Sequence, residues 1–135
     1  MVGILPQAFA LRPEEEYLSV TWQEFFSGDE REQLRCAVNA IRNSDLTVGA
    51  KAQFAVARVG DIRPLVENRP KGRKLRIIHE PELDNEAHAA IRSWPAEDDE
   101  LFDLLAASAW SQAFTGVQID QLPASECGKS ARALA

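Results

Sequence analysis

Tyr17-Leu18-Ser19-Val20-Thr21-Trp22, followed by Ser27-Gly28-Asp29-Glu30 and then by Leu34, Ala37, Val38 and Ile41, is the stretch that decides the fold class. In its first part Leu18, Val20 and Trp22 alternate with Tyr17, Ser19 and Thr21, the period of two of a half-buried strand. Further on, Ser27 and Glu30 stand at capping-box spacing. The apolar positions behind them fall at i, i+3, i+4 and i+7, one stripe of an amphipathic helix. Asp29, Glu30 and Glu32 near its start, and Arg35 and Arg42 toward its end, suit the helix dipole. A strand that leads straight into a helix points to an α+β chain.

Working outward, residues 8–11 read as an earlier strand, with Arg12-Pro13-Glu14-Glu15-Glu16 as the polar connection. Residues 53–59 read as a strand ended by Gly60-Asp61, and 62–68 as one or two helical turns interrupted by Pro64. Arg69-Pro70-Lys71-Gly72-Arg73 is a basic turn, and 74–80 another strand. Residues 81–95 form an acidic loop with a turn of helix at 85–91. A second amphipathic helix is expected over 96–114, its first turn crowded with acids. Beyond 115 no period survives. The expectation is a single α+β domain over 1–115, a mostly antiparallel sheet with two amphipathic helices packed on it, and a flexible tail over 116–135.

The 135 residues are 45% apolar and 27% charged, the composition of a folded soluble domain. Fifteen basic against twenty-one acidic side chains leave a net charge of −6. That balance disfavours a protein whose task is gripping nucleic-acid backbones, where phosphate neutralisation supplies most of the affinity. The charge is unevenly spread: residues 63–76 hold six of the fifteen basic groups, and 80–103 hold nine acids against Arg92 alone. No aromatic residue interleaves the basic run, which argues against single-strand stacking. Arg12 and Arg73 are the candidate anion-binding residues. Arg69, Lys71 and Lys74, with Trp94 beside Pro95, are the candidate interface to an acidic protein partner.

His79 and His88 titrate nearest neutrality without help. His79 shares a strand face with Leu75 and Ile77 and reads as a core or edge histidine. His88, in the acidic connection, is the candidate general acid or base. No third ligand stands at metal-binding spacing, so no metal and no cofactor is expected. Nucleophile and phosphate-loop motifs are absent. Ser19 and Ser93 could meet a histidine, but nothing in the sequence brings them together. Cys36 and Cys127 form no C-x-x-C pair; two free thiols in a reducing cytoplasm is the plainer reading, and one long-range disulfide the other. The N-terminus lacks a basic region and breaks at Pro6, unlike a signal peptide, and no apolar run is long enough to span a bilayer.

Leu11-Arg12-Pro13-Glu14-Glu15-Glu16-Tyr17-Leu18-Ser19-Val20-Thr21-Trp22, Phe54-Ala55-Val56-Ala57-Arg58-Val59-Gly60 and His88-Ala89-Ala90-Ile91 together resemble a family of small uncharacterised bacterial proteins. The resemblance implies bacterial origin and a shared small domain, and it carries no activity. It makes Arg12, Glu16, Ser19 and His88 the polar positions to test. The expectation is a non-enzymatic accessory or protein-binding module in the bacterial cytoplasm. The alternative is a small transferase or hydrolase for a nucleotide or other phosphate-containing substrate, with His88 as general acid/base.

Overall fold

Strand β1 (Tyr17–Thr21) and helix α1 (Glu30–Arg42) stand where the alternating and striped stretches put them in the computed structural model, which describes residues 16–44, 52–70, 72–95, 98–110 and 112–134. The strand expected at 8–11 and its polar connection, with Arg12, lie outside the described residues. So does Lys71. Then come β2 (Gln53–Val56), α2 (Val59–Glu67), β3 (Arg76–His79), β4 (His88–Arg92), α3 (Asp99–Leu104), β5 (Gln112–Thr115), α4 (Gly116–Asp120) and α5 (Ala131–Leu134). The fold is a small α+β domain with two antiparallel sheets, one in the order β1-β4-β3 and the other pairing β2 with β5.

The cap of α1 falls two residues past the expected one. Gly28 takes a left-handed φ of 100° and redirects the chain, and Asp29 then closes the box. Its carboxylate accepts from the Glu32 amide at 2.9 Å, while Glu32 accepts from the Asp29 amide at 3.4 Å. Leu34, Ala37 and Val38 of the expected stripe are buried. Pro64 does not interrupt α2, which runs through it.

Two expectations need correcting. Residues 88–92 are a strand rather than a loop with a helical turn, and His88 to Ile91 are all buried. The consecutive alanines 89 and 90 favour helix locally, but β1 and β3 on either side take up the backbone hydrogen bonds of these residues, and the burial of four successive residues shows both faces of the strand covered. The helix expected over 96–114 stops early. After α3 the chain widens into a π turn, Leu105–Ala109, where the Ser108 hydroxyl donates to the Leu104 carbonyl at 2.6 Å. Residues 112–115 are then drawn off as β5, whose backbone groups satisfy those of β2.

By contacts the chain forms two compact units: Met1–Leu18, Gln53–Ile78 and Ala90–Phe114 in one, Ser19–Ala52, His79–Ala89 and Thr115–Ala135 in the other. Within the first, α2, α3 and the π turn pack on one another through Ile62, Val66, Leu101, Phe102 and Leu105, all buried. Within the second, Phe25, Phe26, Cys36, Ala37 and Ala87 form the core, with Trp22, Ala40, Cys127 and Ala133 against it. Residues 116–134, set apart from the sequence as a tail, carry α4 and α5 and return to α1. Ser27 donates its amide to Gly128 and Ser130 its amide to Phe25, each at 2.8 Å. Cys127 is joined to Cys36 by a disulfide, so the preferred reading of two free thiols is overturned. The return of the C-terminal segment, invisible to local sequence patterns, brings the two sulfurs together.

Candidate functional site

Within the first unit, a cleft of about 520 Å³ opens where the basic turn faces the segment leaving β4. Val66 of α2, Leu101 of α3 and Trp94 supply apolar lining, and Arg69, Arg73, Ser93 and Asp98 the polar lining. Gly72 lets the turn close in: a Cβ there would collide with the carbonyl oxygens of Val66 and Glu67 at the end of α2, so only glycine fits. Ser93 enters the cleft with a left-handed φ of 65°, a conformation that costs a non-glycine residue energy and concentrates at binding sites.

The turn is braced from below by one carboxylate. Glu67 accepts from the Leu75 amide at 2.7 Å and from Arg63 at 3.0 Å, while Arg63 also donates to the Leu75 carbonyl at 2.8 Å. The Leu75 amide, more than the Arg63 guanidinium, holds the Glu67 carboxyl below the usual range against the opposing effect of partial burial.

Of the sequence-stretch candidates, the cleft brings together Arg69, Arg73 and Trp94. Trp94, the candidate interface anchor, is 5% exposed and packs edge-on against Trp110, ring centres 6.2 Å apart. Arg69 is occupied. It donates to Asp98 at 3.2 and 3.3 Å and reaches Glu100 at 3.6 Å. Partial burial opposes its charge, but the carboxylates of Glu100 and Asp98 outweigh that and raise its pKa. Arg73 is exposed and makes no hydrogen bond or ion pair with a described residue, so its guanidinium is available at the rim. Lys74 is exposed and stands outside the lining; its charge acts on Glu67. Asp98 was hidden in an acid run that reads as solvated. Its signal was its place at the start of α3, where it caps the Leu101 amide at 3.1 Å.

His88 belongs to the second unit, 5% exposed at the start of its β4 strand. Its Nδ1 donates to the Glu80 carbonyl at 2.8 Å, which places a proton on that nitrogen. Ser19 Oγ lies 3.3 Å from Nε2, and a Glu82 carboxylate oxygen lies 3.6 Å from it. The structure thus joins a serine and a histidine that the sequence left apart. His88 does not line the Arg73 cleft. His79 donates to the Glu86 carbonyl at 2.7 Å and packs against the rings of Trp22 and Phe25. Among the described residues no group of three metal-ligating side chains converges, and no described helix is long and apolar enough to cross a membrane.

Fold and site define a small α+β domain with an apolar cleft rimmed by an available arginine. Compared with known proteins, the chain matches no family model, no curated protein and no solved structure.

Proposed function

We propose that the protein is a non-enzymatic binding module whose cleft receives an acidic segment of a partner protein, with an apolar side chain of that segment against Trp94 and Leu101. The observation that carries this reading is the pairing of an apolar, half-enclosed lining with an uncommitted guanidinium at Arg73. Arginine at such a rim gives a carboxylate a directed, charge-assisted partner, while the apolar floor supplies the area term. The test is a titration with the blocked tripeptide Glu-Leu-Asp, followed through the indole N–H resonance of Trp94. The resonance moves with Glu-Leu-Asp, stays with Gln-Leu-Asn, and the response collapses in Arg73→Ala. No movement, or equal movement with both peptides, overturns the reading.

A bacterial origin is what the family resemblance alone implies. For the cytoplasmic setting, the Cys36–Cys127 bond is the observation that weighs against it, because disulfides persist in oxidising compartments.

A second reading rests on the Ser19–His88 contact. A serine hydroxyl that donates to an imidazole whose other nitrogen is anchored is the arrangement of an activated nucleophile. On this reading His88 serves as the base of a small hydrolase or transferase. Turnover of a nucleotide panel that survives His88→Ala unchanged excludes it.

A further inference from the structure

Leu83 is the most exposed large apolar side chain among the described residues, at 110% of its reference exposure. Single exposed leucines are common and mean nothing alone. This one is held at the tip of a tight turn closed by mutual backbone hydrogen bonds of Glu82 and Asn85, at 3.0 and 3.1 Å. The turn is anchored beneath by buried Asn85, which donates to Thr21 Oγ1 at 3.1 Å and accepts from the Ala87 amide at 3.1 Å. Leu83 therefore stands in water on a fixed support, between the acidic residues Glu82 and Asp84 of the chain, with Glu82 exposed and Glu86 paired with Lys129 at 3.5 Å. That is an acidic knob with an apolar point, the chemical complement of the Arg73 cleft and its Trp94–Leu101 floor.

We propose that the partner is a second copy of this chain: the Leu83 knob of one molecule enters the Arg73 cleft of the next. The inference rests on the reading of the cleft as a receptor for an acidic, apolar segment. Knob and cleft are different surfaces, so each molecule can give one contact and receive one. One leucine and a few exposed charges make a small contact, with a dissociation constant on the order of 0.1–1 mM that weakens as salt screens the charges.

Leu83→Asp and Arg73→Glu test this without threatening the fold, since both side chains are exposed and the second has no described partner. In sedimentation equilibrium up to about 1 mM, the unaltered chain gains mass above the monomer with concentration, and less so in high salt. Each variant alone is a monomer. An equimolar mixture of the two forms a 1:1 complex that grows no further, because only one knob and one cleft remain intact. A monomeric unaltered chain, variants that associate like the unaltered chain, or a mixture that stays monomeric each overturn the proposal. Titrating Leu83→Asp with Glu-Leu-Asp separates the failures. Movement of the Trp94 resonance there, beside a monomeric unaltered chain, leaves the cleft reading standing and removes only self-association.

Discussion

Each of the two units is secured by different chemistry. The unit that holds the Arg73 cleft is braced by carboxylates: Glu67 on Leu75 and Arg63, Asp98 on Arg69 and the Leu101 amide. The other is stapled by the Cys36–Cys127 bond, with Arg42–Asp120 at 2.7 Å and Lys129–Glu86 at 3.5 Å around it. Polar clamps in both units yield to protons, whereas only the stapled unit yields to reductant, so thiol is expected to loosen that unit alone.

The largest effect should come from the staple. Cys36 and Cys127 are 91 residues apart, and closing a loop of that length removes enough unfolded-chain freedom to stabilise by about 4–5 kcal/mol. Urea titration of Cys36→Ala should show a loss of that order without reductant and coincide with the unaltered chain in dithiothreitol. Curves that already coincide without reductant would mean that the bond contributes nothing.

Next comes the turn. Gly72→Ala forces a methyl against the Val66 and Glu67 carbonyls and should cost about 1–3 kcal/mol. It should also blunt the Glu-Leu-Asp response by displacing Arg73. Equal affinity and stability in Gly72→Ala would show that the close approach does not position the rim.

The smallest effect sharpens the contrast through pH. Because the folded Glu67 pKa lies below its ordinary 4.5, its contribution is complete above that value and is lost as pH falls through the lowered one. The stability gap between the unaltered chain and Glu67→Gln should therefore be widest at neutral pH and narrow in acid. The gap caused by Cys36→Ala should not follow that pattern. A pH-independent Glu67→Gln gap would show that the clamp acts through shape rather than charge.

What could be read in advance follows the same divide between local and remote causes. The β1 alternation, the α1 stripe and the β3 strand are local periodicities, and each became the element expected. β4 was missed because its alanines favour helix and only the flanking strands β1 and β3 make it a strand. The end of the last long helix was missed because the claim of β2 on residues 112–115 is a tertiary one. For the site, Arg69, Arg73 and Trp94 were legible as chemistry, whereas their common cleft was not. Ser19 and His88, 69 positions apart, meet through strand pairing that neither residue announces.

The span between Cys36 and Cys127 also sets a schedule. At a synthesis rate of about 5–20 residues per second, the 91 residues from Cys36 on to Cys127 take roughly 5–18 s to be made. For that interval Cys36 emerges as an unpartnered thiol beside Phe25 and Phe26, before the segment that will cover them exists. A newborn chain is thus open to wrong thiol partners until its late cysteine arrives, and an oxidoreductase that holds the early one would guard that window.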